Sequence, residues 1–433
     1  MTDTFHRTDM LPALTPPVGE RGVVKWLREN LFSSPLNAGL TLVGLAALYV
    51  LLQALFPWFS NSVWNASSLK ECRAIITAAA GEGATGACWA LIRERWHQFI
   101  FGFYPQDLYW RPTLAFGLLF VALAPVLFPH PPRKLFWFTF LYPALAFFLL
   151  WGGSVWVPVV AMLGFVVMAL AYRVLLAPLG VTMAASLGVL AACLWWLFAE
   201  GPVTEQLTHW LPIGLRSVDS DEFGGFMLAI IIGVTAISFS LPLGILLALG
   251  RQSDMPIVKT ICVGFIEFIR GVPLITLLFT ASLILGYFLP LGVTFDVILR
   301  VMILVTFFAA AYIAEVVRGG LAALPRGQYE AADALGLDYW RAQRLIILPQ
   351  ALKISIPGIV STFIGLFKDT TLVSFVALLE PLRGVTNAVR ADTNWQGIYW
   401  EPYIFVGAIF FVICFGMSRY SMYLENKLKT DHR

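Results

Sequence analysis

The stretch Glu330-Ala-Ala-Asp-Ala-Leu-Gly336-Leu-Asp-Tyr-Trp-Arg-Ala-Gln-Arg-Leu-Ile346-Ile-Leu-Pro349 decides the fold. It is a polar island bounded on both sides by apolar segments of membrane-spanning length, so it must sit at a membrane surface. Residues before Gly336 are strong helix formers. Gly336 interrupts them, and Asp338 is placed to cap a second short helix that ends before Pro349. The reading predicts a helix–turn–helix across the cytoplasmic face. A simple connector would not need two helices.

The rest of the chain explains why such an island stands out. Of 433 residues, 59% are hydrophobic and 13% charged, with mean hydropathy +0.78. That balance belongs to an all-α polytopic membrane protein and excludes an ordinary soluble domain. The net charge of +3 is small, and the basic residues fall in short clusters between apolar runs. This is positive-inside patterning rather than a nucleic-acid surface. His6, His97, His130, His209 and His432 never fall at metal-ligand spacing, and there is no HExxH, so no metal site is expected. The first apolar run begins near Ala38 behind a polar arm, with no small-residue cleavage site after it. It is read as a retained anchor rather than a signal peptide.

About ten spans follow from a requirement of roughly 20 apolar residues each. They lie at about 38–56, 112–129, 135–151, 155–172, 181–199, 225–249, 271–290, 295–317, 354–375 and 402–424. The expected divisions are a cytoplasmic N-terminal arm at 1–30, five helices in 31–200 with a periplasmic loop at 58–111, and a second periplasmic loop at 201–224. A membrane core at 225–425, with a cytoplasmic loop at 319–353, precedes a cytoplasmic tail at 426–433. Pro129 to Lys134 is basic and proline-broken, hence cytoplasmic; Gly152-Gly-Ser154 carries no basic residue, hence periplasmic; Arg173 to Gly180 is the next inner turn. Ten spans, an inside N-terminus and an inside C-terminus are mutually consistent, and they place Glu330–Pro349 inside. In the loop at 58–111, Cys72 and Cys88 have two readings: a disulfide in an oxidising compartment, or two free thiols on amphipathic helices. Cys193, Cys262 and Cys414 read as packing residues in apolar runs.

Charges near or within the spans mark candidate functional positions. Glu315 and Arg318 are three apart on a helix and can pair, after which Gly319-Gly320 is expected to release the chain into the polar island. Glu267 and Arg270 are expected to fix an inner amphipathic stretch to its neighbours. Phe367-Lys368-Asp369-Thr370-Thr371-Leu372 lies well inside an apolar span. Lys368 and Asp369 either line a solute path or pair internally. Thr370, Thr371 and Ser374 either offer hydroxyls to that path or bond back to helix carbonyls. Arg300 reads as snorkelling near an outer helix end.

At these residues a resemblance emerges. Glu330-Ala331-Ala332, Gly336, Ile346, Leu348 and Pro349 match the EAA signature of ABC importer permeases with every spacing intact. Glu267-Phe-Ile-Arg270-Gly-Val-Pro273, Ala314-Glu315-Val-Val-Arg318-Gly-Gly320, Gly327-Gln328-Tyr-Glu330 and Lys368-Asp369-Thr370 resemble its polar amino-acid branch. The likeness covers roughly 223–425. The added first half resembles the long permease subunit of general L-amino-acid and glutamate/glutamine/aspartate/asparagine importers.

The resemblance implies a type I (MetI-like) permease core in the last five helices, carrying L-amino acids across the bacterial cytoplasmic membrane by alternating access. It implies a second permease subunit, two copies of an ABC ATPase that bind ATP and Mg, and a periplasmic amino-acid-binding protein. Glu330, Ala331, Ala332, Gly336, Ile346, Leu348 and Pro349 would then couple to the ATPase. No lysine follows a glycine anywhere in the chain, so it holds no GxxxxGK[ST] phosphate loop, and no cofactor is expected here. Two alternatives keep other cargo or other energetics: an ABC permease for opines or similar solutes, and an ion-coupled secondary transporter. The latter would require repeated halves, whereas the first half has no counterpart of the EAA island. A membrane enzyme would need a cluster of His or acidic residues at one interface, and the sequence has none.

Overall fold

The structure, a computed structural model, describes residues 22–288 and 296–428. Most of the expected N-terminal arm, the end of the 271–290 span and the last part of the tail lie outside the described residues. Two compact units divide between Ala90 and Leu91.

In the first unit, α1 (Gly22–Asn30) is a short amphipathic helix, and α2 (Pro35–Ser60) is the first span. Ser34 caps α2 by accepting from the Asn37 N–H, and Pro35 sits at its first turn, where no N–H is needed. None of its 26 residues is buried, as a helix wrapped in lipid requires. Next, α3 (Leu69–Ala80) is capped by Ser68 and stops at Gly81. Cys72 and Cys88 are joined in a disulfide, with Cα atoms 6.2 Å apart. Backbone bonds from Val63 to Ala87 O and from Trp89 to Val63 O, both 2.8 Å, bring the second cysteine back.

The second unit begins at Leu91, inside α4 (Ala90–Phe101), and continues with the hairpin of α5 (Trp110–Leu127) and α6 (Leu135–Trp151). Thr139 and Tyr142 of α6 donate to the Ala122 and Ala115 carbonyls of α5, which satisfies both hydroxyls between apolar helices. After β1 (Gly153–Ser154), α7 (Trp156–Leu194) is in effect two antiparallel helices broken at Gly180, whose φ of 73° turns the chain. The indole N–H groups of Trp195 and Trp196 donate back to Val160 and Ala161 carbonyls across that hairpin. The expected inner turn over Arg173–Gly180 is thus compressed to one glycine.

Helix continues through a π-turn at Trp195–Ala199 into α8 (Glu200–Trp210), so the first part of the loop expected at 201–224 is helical. Its polar residues lie on a helix that extends the span outward. Only then does β2 (Gly214–Leu215) pair with β1.

The membrane core expected from residue 225 onward follows: α9 (Gly225–Arg251), α10 (Pro256–Gly271), α11 (Leu274–Phe288) and α12 (Val297–Ala322). The segments α10 and α11 meet at 101° across a short break, the geometry of a broken span or a re-entrant loop. Beyond α12 come α13 (Arg326–Ala334), α14 (Tyr339–Ala342), α15 (Leu348–Asp369), α16 (Pro381–Ala391) and α17 (Trp400–Leu428). Among the described residues eight helices are long and apolar enough to cross a membrane, or nine if the bent pair is one span, and α6, at 17 residues, is a shorter apolar helix.

Two local expectations are corrected. Gly319 and Gly320 do not release the chain; both stay inside α12. A Cβ on Gly320 would stand 2.1 Å from Ser355 Oγ and 2.5 Å from Ala351 O, so this glycine lets α12 and α15 touch. Nor does helix end before Pro349. A π-turn at Gln343–Ile347 runs directly into α15, with the proline in its first turn, where its missing N–H costs little. Residues 339–376 therefore form one long helical path from surface to membrane.

The core is built where α9, α12 and α15 interlock. Ile298, Val305, Ala309, Ile313 and Val317 of α12 are buried, as are Ile232, Ala236 and Ala248 of α9. Residues 99–108 contribute Phe99, Phe101 and Tyr104 to the same unit. Short backbone pairings gather 102, 153, 214, 223, 224 and 379 at the end of the helices far from α13.

Candidate functional site

The polar island folds around a left-handed glycine. Gly336 has φ +66°, its N–H donates to Asp333 O at 2.9 Å, and the Leu337 N–H reaches back to Ala332 O at 3.2 Å. This double bond pattern closes the C-terminus of α13 and satisfies carbonyls that would otherwise be orphaned. Asp338 then caps α14, accepting from the Arg341 N–H at 2.8 Å. Ala332 is buried under the island; Ala331, beside it, is exposed, so only one of the two alanines packs inward. Glu330 and Pro349 are exposed, while Ile346 and Leu348 are half-buried and lean on the core. Gln350 donates to Gln328 Oε1 at 2.9 Å, lacing α15 to α13.

The outward face is apolar although the stretch is polar overall. Leu335, Tyr339, Trp340 and Leu345 are 72%, 51%, 60% and 63% exposed. Beneath them a cavity of about 290 Å³ is lined by Gln252, Tyr329, Asp333, Tyr339 and Gln343. Gln343 is buried there, and its Oε1 has no hydrogen-bond partner among the described residues. Gln252 and Gln343 escaped the sequence reading because neither belongs to the periodic or charged pattern.

Behind the island, a charge cluster ties three helices together. Glu315 accepts from Arg318 Nε at 2.6 Å on its own helix. Its other oxygen meets Arg251 of α9 at 3.1 Å and Arg270 of α10 at 3.4 Å. Arg251 also bonds Glu267 at 2.9 Å, and the Arg270 guanidinium lies 5.7 Å from the Tyr312 ring centroid. Glu267 and Arg270 therefore hold α10 in place through α9 and α12. Arg251, which links Glu267 to Glu315, was the residue the spacing arguments did not single out, because its partners are 16 and 64 positions away.

The candidate solute path lies where α15 tightens into a 3₁₀ segment at Thr370–Val376. Lys368 is exposed, and Asp369, Thr371 and Ser374 are half-buried. Among the described residues no ion pair joins Lys368 to Asp369, so an internal brace between them is not what the structure contains. Thr370 is fully buried, its hydroxyl donates to Phe367 O at 2.7 Å, and its methyl faces Gly233 of α9. Thr371 and Ser374 likewise donate to carbonyls three residues back. These hydroxyls stabilise the tightened turn, the second of the two readings. Arg300 is corrected. It donates to Ser282 O of α11 at 2.9 Å, tying α12 to α11 instead of reaching for the interface.

One buried carboxyl was missed entirely. Glu380, 1% exposed, caps α16 by accepting from the Leu382 and Arg383 N–H groups at 2.8 and 2.6 Å. Burial pushes it up to about 7, against the pull of those two bonds and of Arg383. Only its place before Pro381 could have signalled a cap.

Residues 240–430 match the family model described as binding-protein-dependent transport system inner membrane component. The chain is 66% identical, over the whole of both sequences, to the glutamate/glutamine/aspartate/asparagine transport system permease protein BztC of Rhodobacter capsulatus. It is 39% identical to the inner membrane amino-acid ABC transporter permease protein YhdY of Escherichia coli, covering 94% of this chain and 93% of that one. A shorter relative, the glutamate/aspartate import permease protein GltK of Escherichia coli, is 32% identical over 47% of this chain and 91% of its own.

Proposed function

The chain belongs to the amino-acid ABC transporter permeases, the inner membrane components of binding-protein-dependent transport systems, and on that premise we propose how it works. It is the transmembrane permease subunit of an ATP-driven importer of L-amino acids, with polar substrates such as glutamate, glutamine, aspartate and asparagine as its cargo. It is a multi-pass protein of the inner membrane.

The observation that carries the mechanism is the exposed apolar face of α13 and α14, held rigid by the Gly336 turn. Leu335, Tyr339, Trp340 and Leu345 present a short amphipathic surface of the kind that lies in a groove of a partner. The partner is an ABC ATPase on the cytoplasmic side, so both termini face the cytoplasm as well. ATP and Mg are bound there, not by this chain. Closure of two such ATPases would push on α13 and α14; the continuous helix 339–376 carries that displacement toward Lys368–Ser374, and the Glu315 cluster passes it to α9 and α10. A second permease subunit would complete the path, and a periplasmic binding protein would deliver substrate to its distal mouth. Lys368 and Asp369 offer one charge of each sign to a zwitterion, at a depth where water screens poorly.

Reconstituted vesicles test this. Glutamate uptake by the assembled complex should require internal ATP and the liganded binding protein. Uptake that persists without ATP and collapses with an ionophore would overturn the reading in favour of an ion-coupled carrier.

A further inference from the structure

Shorter permeases align over nearly their whole length and still leave about half of this chain without a counterpart. Part of that added half, residues 94–102, lies against the end of the core distal to α13. The join is backbone on backbone. Gly102 bridges Phe223, Gly224 bridges Leu379, and the Gly225 N–H donates to Leu379 O at 2.8 Å. A Cβ on Gly102 would stand 2.3 Å from Gly224 Cα, and Gly102 and Gly225 both have positive φ, +69° and +59°.

Side chains extend the join to the segment that follows α16. Arg95 donates to Asp392 at 2.6 Å, and the indole N–H of Trp395, fully buried, donates to Glu94 at 3.1 Å. On its other flank α16 holds the path segment: the Arg383 guanidinium bonds the Ser374 carbonyl. A contiguous chain of contacts thus runs from Arg95 through Asp392 and α16 to Ser374.

We propose that Glu94 and Arg95 are positioning residues of transport: they latch α16, so that the path segment at Lys368–Ser374 and residues 94–102 move as one body. This rests on the permease reading above. Rigid transmission needs such a contiguous physical link. A short charge-assisted bond and a buried N–H that must keep its acceptor are what a latch requires. Permeases without the added half have no residues with which to build it.

The test uses the complete complex in proteoliposomes, with R95A, R95K, W395F and the exchanged pair Arg95→Asp with Asp392→Arg. Three quantities are read: assembled complex, glutamate uptake per complex, and ATP hydrolysed with and without liganded binding protein. R95A and W395F should assemble normally, lose at least about threefold in uptake per complex, and hydrolyse ATP more freely without the binding protein. R95K and the exchanged pair should recover most of the coupling. Wild-type uptake per complex in both R95A and W395F would overturn the proposal, as would a loss of uptake that only mirrors a loss of assembled complex. ATP-dependent uptake by the wild type reports on the permease reading separately.

Discussion

Replacing Glu315 with glutamine keeps the shape of the side chain and removes the charge shared by three guanidinium groups. Two unit charges about 4 Å apart interact by about 4 kcal/mol at an effective dielectric near 20. These groups are partly solvated: side-chain exposure is 21% for Glu315, 25% for Arg251, 33% for Arg270 and 41% for Arg318. Screening brings each pair down to about 1 kcal/mol, least for Arg318, so the three together contribute roughly 3 kcal/mol. The glutamine carbonyl recovers part of one hydrogen bond, leaving a cost of about 2 kcal/mol with three arginines facing one another. At about 2 °C per kcal/mol in a chain of this size, E315Q should melt about 4 °C lower. R318A should cost about half as much, since Glu315 keeps its two longer-range partners. The assay is thermal unfolding of the purified complex at low and high salt, with the ATP-to-substrate ratio measured in parallel. Salt should narrow the gap without closing it, because the cluster is only partly exposed. An E315Q complex that melts within about 1 °C of wild type, with an unchanged ratio, would refute the idea that this carboxylate organises the helix ends behind the coupling face.

Other perturbations probe separate elements. Gly336→Val should cost about 1–2 kcal/mol by forcing a β-branched residue to positive φ; a Cβ there meets nothing within 4 Å, so the strain lies in the backbone alone. Gly336→Asn should retain ATPase in a pull-down and Gly336→Val should lose it; wild-type recovery and uptake with valine would reject the turn's role. Cys72 and Cys88 should resist thiol labelling until reductant is added, and their bridge over a separation of 16 residues should stabilise its unit by about 3 kcal/mol. Ready labelling of both without reductant would exclude it. Glu380 keeps its proton up to about 7 in the folded protein, above its ordinary value of 4.5. Its contribution to stability is therefore full below pH 4.5 and lost as pH rises through 7, amounting to about 3 kcal/mol. The difference in melting temperature between wild type and Glu380→Gln should move against the wild type across that window; a difference independent of pH would refute the assignment.

Much of this protein was legible in its residues taken locally. Runs of about 20 apolar residues each find a helix, because burying a backbone in lipid leaves few alternatives to one. The turn at Gly336 and the cap at Asp338 were readable because each depends on the backbone preference of a single residue and its near neighbours. Glu315 and Arg318 were readable for the same reason, being one helical turn apart.

What the residues did not announce was which distant surfaces meet. Gly319-Gly320 read as a chain break, yet Gly320 exists to let Ser355 and Ala351 approach. Pro349 read as a stop, yet the π-turn ahead of it absorbs the missing donor. Thr370 had two readings until α9 covered it, and Arg251 drew no attention until α10 and α12 brought Glu267 and Glu315 to it. The latch between Arg95 and Asp392 joins residues 297 positions apart. Hydropathy and turn chemistry report the free energy of a segment with its solvent and with itself. The pairing of surfaces depends on the shapes of two elements at once, and only the tertiary structure brings those together.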